Sequence, residues 1–134
     1  MGVILTLHQA AHATLHALGA RLAGLDLPPA DINLLANLAD GARRTVGALA
    51  TATATKPTTL TSALDRLVRR GYLVRDLDPG DRRSFLISLT PSGEAAAQTV
   101  AAAVHDIERQ ALAAVTEADL AGFHALIGAL TEVS

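Results

Sequence analysis

Cysteine is absent from the 134 residues. That removes disulfides, thiolate metal sites and thiol-based redox sensing together, and points to a reducing cytoplasm as the natural setting. Aromatic residues are nearly absent as well, with one Tyr, two Phe and no Trp, so any ligand pocket must be walled by aliphatic side chains rather than built as an aromatic cage. No apolar run is long enough to cross a bilayer, so no membrane partner is expected. The stretch Met1 to Leu7 is apolar but lacks a basic flank, is followed by His8 and His12, and has no small-residue cleavage site after it. Phosphate loops, nucleophile elbows and paired-carboxylate constellations are missing too, so neither catalysis nor a cofactor is expected. Asp76, Asp78 and Asp81 lie close together, but turn formation accounts for them.

What is present is a chain that is 50% hydrophobic, enough for one ordinary domain to bury a core and fold without staples. Its net charge of −2 conceals a strong asymmetry. Nine of the eleven Lys and Arg residues lie between Arg43 and Arg83 with only four acids, a net of +5, while the rest of the chain carries −7. One basic segment in an acidic chain is the footprint of a single face that meets phosphate.

The apolar residues Leu7, Ala11, Leu15, Leu18, Leu22 and Leu25 recur every three or four positions, which predicts a long helix from Val3 to Leu25, ended by Leu27-Pro28-Pro29. A second helix starts between Pro29 and Asp31, carries Ile32, Leu35 and Leu38 inward and closes at Asp40-Gly41. Thr45 caps a short third helix, and Pro57 opens a fourth that runs to about Arg70 with Leu60, Leu64 and Leu67 inward. After Gly71 the period changes from helical to alternating. Tyr72 to Leu77 and Ser84 to Thr90 read as strands around a turn from Asp78 to Arg83, with Phe85, Ile87 and Leu89 on the buried face. Pro91-Ser92-Gly93 opens a long alanine-rich helix, and Thr116 with Asp119 starts a last one that buries Leu120, Phe123, Ile127 and Leu130.

A helix pair with a short turn, its second helix polar on the free face, followed at once by a basic hairpin, describes a winged helix-turn-helix. The chemistry of double-stranded DNA then assigns roles. Thr58, Thr59 and Ser62 are short enough to bring the backbone close to base edges. Lys56, Arg66 and Arg69 reach phosphate or guanine, and Arg82 and Arg83 reach a neighbouring minor groove. Asp81 braces the wing through an ion pair with Arg83.

Four stretches resemble the DNA-binding core of the MarR family: Thr45 to Ala50, Lys56 to Thr61, Leu64 to Arg75 and Asp78 to Gly93. The last is the most specific, matching a wing signature of Asp, any residue, Arg, a strand ending in Leu-Thr, and a Gly shortly after. The resemblance implies a homodimer on a pseudo-palindromic site, usually a repressor that a small ligand releases. It also implies Thr58, Thr59, Ser62, Arg66, Arg82 and Arg83 as DNA-contacting residues, with Asp81 as the wing brace. The pattern departs before the recognition helix, where a Gly and a Ser or Thr cap are common and this chain has Ala54, Thr55 and Lys56.

The expected architecture is therefore mainly α with a small β wing: a winged helix-turn-helix lobe on a helical dimerisation platform. Residues 1–30 form the N-terminal dimerisation helix, 31–90 the DNA-binding lobe, and 91–134 the C-terminal dimerisation helices. The apolar stripes of the first and last two helices are too long to bury inside one small lobe, which independently predicts a homodimer. The effector is expected to be a lipophilic or acidic small molecule.

His8, His12 and His16 project from one side of the first helix at i, i+4 and i+8. A metal-responsive regulator would use two of them for zinc or nickel, with His105, His124 or an acid completing the shell. Against that stands the plainer reading of surface or interfacial histidines. A third reading keeps the fold but makes the chain a protein antagonist of another factor. The basic wing and hydroxyl-lined helix count against it.

Overall fold

The computed structural model describes residues 2–133, and of Arg82 only the backbone. Helix α1 spans Val3–Arg21 and is followed by a 3-10 turn, Ala23–Leu25. Then come α2 (Pro29–Leu38), strand β1 (Arg44–Thr45), α3 (Val46–Thr53), α4 (Pro57–Arg69), β2 (Leu73–Asp78), β3 (Asp81–Leu89), α5 (Pro91–Leu112) and α6 (Glu117–Glu132). The mainly α fold with a small β wing is thus found as expected. The chain divides into two compact units, one ending at Val104 and the other beginning at His105. Among the described residues no single helix is long and apolar enough to cross a membrane.

The core lies in the first unit. Leu34, Leu35 and Leu38 of α2 meet Leu49 of α3, Leu60, Leu64 and Leu67 of α4, Ile87 of β3 and Val100 of α5, all fully buried or nearly so. Each such leucine is worth roughly 1.5–3 kcal/mol when removed from water, so this cluster holds the three helices of the lobe together. The inward stripe Leu60, Leu64, Leu67 is the one the α4 period predicts.

Helix ends follow from local chemistry. Thr45 Oγ1 accepts from the Ala48 N–H and caps α3. At the end of α4, Gly71 adopts a left-handed φ of 78°. The Tyr72 N–H reaches the Leu67 carbonyl at 2.9 Å and the Gly71 N–H the Val68 carbonyl at 3.0 Å, which closes the last turn of the helix and aims the chain into β2. Thr90 joins the wing to α5: its hydroxyl donates to the Gly71 carbonyl at 2.5 Å and accepts from the Gly93 N–H at 3.0 Å. A Cβ on Gly93 would stand 1.9 Å from the Tyr72 carbonyl oxygen, so only glycine permits this close approach. The Leu-Thr followed by Gly of the wing signature is therefore a packing joint.

Four expectations need correction. α1 ends at Arg21 instead of running on to Leu25, and none of its residues is buried; Leu22, just past its end, is the anchor to the core. The hairpin turn is tighter than the sequence suggests. Asp78 pairs with Asp81 around Pro79-Gly80, so Arg82 and Arg83 lie on β3 instead of in the turn. Asp78 Oδ1 accepts from the Gly80 N–H at 2.9 Å and makes the short turn self-sufficient. Phe85 is 41% exposed although its strand neighbours Ile87 and Leu89 face the core; the outer half of the hairpin, with Leu77 opposite Phe85, is not covered by the core. Finally, α6 is capped by Thr116 and Asp119 as predicted, yet Leu120 and Phe123 stay exposed, and Ile127 and Leu130 are only half-buried. A strand the sequence did not announce, β1, pairs Arg44 with Ile87 and Thr45 with Leu86, giving a sheet of order β1-β3-β2.

Candidate nucleic-acid interface

The turn between α3 and α4 decides how α4 is presented. It closes on Ala54, a non-glycine residue held at φ 50°, ψ 39°. The Ala54 N–H bonds the Thr51 carbonyl at 3.3 Å and the Thr55 N–H the Ala50 carbonyl at 3.4 Å, a terminating motif that normally recruits glycine. The chain holds it with side chains. The Thr53 carbonyl accepts from Asn33 Nδ2 at 3.3 Å and from the Thr55 hydroxyl at 3.1 Å. Lys56 occupies the N-cap position of α4 without any side-chain cap, and Pro57 at the first helical position removes one orphan donor.

Thr58, Thr59 and Ser62 are exposed on α4, with Lys56 and Arg69 exposed at its two ends. The neighbouring Thr61 commits its hydroxyl to the Pro57 carbonyl at 2.9 Å. Among the described residues the hydroxyls of Thr58, Thr59 and Ser62 make no hydrogen bond, so they remain available to an outside partner.

Arg66 behaves differently. Its guanidinium grips Asp31 of α2 with both oxygens engaged, Nε to Oδ2 at 3.1 Å and Nη2 to Oδ1 at 2.8 Å. Asp31 is fully buried while Arg66 keeps 38% of its side chain exposed. The hydrogen bonds to Asp31 are the first cause that holds the Arg66 guanidinium above its ordinary pKa; desolvation opposes them and the charge of Asp31 adds to them. The sequence places Arg66 with the phosphate-reaching arginines, and the structure commits it to fixing α4 on α2. Nothing local signals this, because Asp31 is thirty-five residues away and also suits a helix first turn.

Other cations of the basic segment are similarly engaged. Arg44 pairs with Asp40 at 2.6 Å and Arg75 with Asp65 at 2.9 Å, while Arg70 donates to the Asp26 carbonyl and lies over the Tyr72 ring. Arg69 donates to the Asp65 carbonyl at 3.3 Å and has no carboxylate partner among the described residues. Asp81 does not pair with the Arg83 guanidinium as the sequence suggests. Its Oδ1 accepts from the Arg83 backbone N–H at 3.0 Å and its Oδ2 from the Ser84 hydroxyl at 3.2 Å. The brace therefore fixes the backbone, and among the described residues Arg83's side chain has no carboxylate partner. The Arg82 side chain lies outside the described residues. Among the described residues Arg43, Lys56, Arg69 and Arg83 are left without a carboxylate partner, and Thr58, Thr59 and Ser62 keep their hydroxyls unbonded.

A second feature involves α1 and α2. A cavity of about 350 Å3 opens between α1 and α2, walled by Leu15, Leu18, Leu27, Ile32 and Val104, with Asn33 at its edge. Its wall is aliphatic, as the shortage of aromatics requires. His8, His12 and His16 are exposed along α1, and among the described residues no group of three or more His, Asp or Glu is placed to hold a metal ion.

The MarR family model matches residues 25–84, from the end of the 3-10 turn after α1 to Ser84 within β3. No curated protein sequence matches the chain. Among solved structures, a probable transcriptional regulator from Pseudomonas aeruginosa is 31% identical, with 96% of each chain covered and a TM-score of 0.73. A MarR variant from E. coli complexed with operator DNA is 25% identical, with 93% of this chain and 90% of that one covered and a TM-score of 0.77. MepR of S. aureus in a DNA-binding conformation is 19% identical over the whole of both chains with a TM-score of 0.90, which speaks to the fold. With its wing signature, its helix-turn-helix geometry and these matches, the chain belongs to the MarR family of winged helix transcription regulators.

Proposed function

We propose that the chain is a sequence-specific regulator that binds double-stranded DNA as a homodimer on a pseudo-palindromic operator, and that it acts as a repressor released by a small molecule. The observation that carries the reading is the α4 face: three hydroxyls that make no hydrogen bond among the described residues, on a helix with exposed Lys56 and Arg69 at its two ends and followed in the chain by a wing that carries Arg83. Hydroxyls of this length allow close approach to base edges in the major groove, and the flanking cations supply phosphate contacts. Lys56 stands where the first-turn N–H groups of α4 lack a side-chain cap, a setting that favours phosphate. Arg66 contributes by holding the helix in position.

Dimerisation is supported by Leu5, Leu15, Phe123 and Leu126, which stay largely exposed on α1 and α6 of the single chain. In this reading residues 1–30 and 91–134 supply the platform and 31–90 the reading lobe. The apolar cavity beside α2 is the place for the effector, since its wall includes the helix that Asp31 and Asn33 tie to α4 and to the turn before it. Selection from a randomised duplex pool, followed by titration of the selected site in a light-scattering detector, tests the reading. An enriched inverted repeat bound by two chains supports it. Recovery of no enriched sequence refutes it.

A further inference from the structure

The α1–α2 cavity has an unusual combination of features: an aliphatic wall, no charged side chain among its lining residues, and one polar side chain, Asn33. That amide is already employed. Its Nδ2 donates to the Thr53 carbonyl at the end of α3, and its Oδ1 accepts from Asn37 Nδ2 at 3.0 Å. The Thr53 bond, at 3.3 Å, is long for an N–H donor and uses one of the two hydrogens on Nδ2, so an acceptor in the cavity that engages the other turns the amide against a weak restraint. Thr53 immediately precedes Ala54, whose left-handed backbone turns the chain into α4.

We propose that the cavity takes an uncharged aliphatic molecule carrying a single hydrogen-bond acceptor, and that this acceptor draws the Asn33 amide away from Thr53. This rests on the effector reading above and narrows its ligand class. A carboxylate is disfavoured because the lining offers it no cation, and an unpaired charge placed against leucines keeps none of its hydration. A plain hydrocarbon fills the cavity but leaves Asn33 where it is. An acceptor-bearing ligand leaves the Thr53 carbonyl with the Thr55 hydroxyl as its remaining side-chain donor, loosens a turn that already holds an alanine in a glycine conformation, and thereby weakens operator binding.

Three near-isosteric probes separate these cases: cyclohexyl methyl ketone, cyclohexanecarboxylate and ethylcyclohexane. Their affinities are measured by calorimetry on the full chain without DNA, in the native protein and in Asn33→Leu. The ketone is expected to bind at least about tenfold more tightly than the carboxylate, about 1.4 kcal/mol, and to lose its advantage over the hydrocarbon in Asn33→Leu. Equal or tighter binding of the carboxylate overturns the proposal, as does a ketone preference that survives Asn33→Leu, or binding of none of the three at millimolar concentration. Unchanged hydrocarbon affinity in Asn33→Leu shows that the variant is folded and its cavity intact. Operator affinity with saturating ketone is then read separately. A several-fold loss is expected, and no loss overturns the switch. A chain that prefers the ketone through Asn33 yet binds no DNA at all refutes the regulator reading and leaves the ligand class in place.

Discussion

The Asp31 carboxylate, fully buried at the start of α2, is gripped by both Nε and Nη2 of Arg66 in the last turn of α4. A bidentate pair of this kind fixes orientation as well as distance, because the planar guanidinium fits the carboxylate in one way. α2 and α4 are therefore registered by a polar clasp at one point and by the leucine core along their length. Truncating the arginine leaves a buried carboxylate without its partner, the costly half of any buried pair. Arg66→Met is expected to lower the melting temperature and the DNA affinity while leaving the salt dependence of binding unchanged. A reduced salt slope with an unchanged melting temperature would show instead that Arg66 directs its charge to phosphate.

Gly93 offers a test of the wing joint. In most helix positions glycine to alanine stabilises by about 1 kcal/mol. Here the new Cβ would lie 1.9 Å from the Tyr72 carbonyl oxygen, with the Tyr72 carbonyl carbon and a Leu89 methyl close behind. Gly93→Ala is expected to destabilise by roughly 1–3 kcal/mol or more, as overpacking against backbone does, measured by chemical denaturation. A neutral or stabilising result would mean that α5 and the wing are not joined in this way.

Ala54 predicts the opposite sign. Its left-handed backbone, φ 50°, is costly for any residue with a Cβ. Ala54→Gly is expected to stabilise the chain by about 1 kcal/mol, in the same denaturation assay. A loss of stability would show that the turn is not left-handed in solution.

Asp40 supplies a pH prediction. The Ala42 N–H, as the largest cause, and Arg44 with it hold this carboxyl below its ordinary value of 3.8, against some desolvation. For a depressed carboxyl the sign is fixed: its contribution to stability is complete above the unfolded value and is lost as pH falls through the folded one. An NMR titration should find Asp40 ionising below the usual aspartate range, and Arg44→Gln should bring it back part of the way. An ordinary value in the native chain would rule out the clasp at the end of α2.

Local rules made much of this fold legible. The α4 stripe, the Thr45 cap, the Thr116 and Asp119 pair and the Pro residues opening helices each act within one turn, so the sequence shows them directly. Pairings across long separations were not legible. Asp31 reads as a helix-start acid and Arg66 as a groove-facing cation, and only the packing of α2 on α4 joins them. The same holds for Asn33 and Thr53, and for Arg75 and Asp65. Counting charges in the basic segment therefore overstates how many face outward. β1 escaped notice because two residues carry no alternation. Phe85 reads as buried because alternation reports which face a strand residue is on, not how far the core extends beneath it.

The DNA-reading face is tested most directly by the salt dependence of operator binding, measured for the native chain beside Arg83→Ala and Ser62→Ala. Removing one phosphate interaction should lower the slope of log affinity against log salt by about 0.9. Steep dependence is expected in the native chain, a slope about 1 to 2 units shallower for Arg83→Ala, and for Ser62→Ala an altered base preference with the slope retained. A native slope near zero, or one that Arg83→Ala leaves untouched, would contradict a DNA-reading face formed by α4 and the wing.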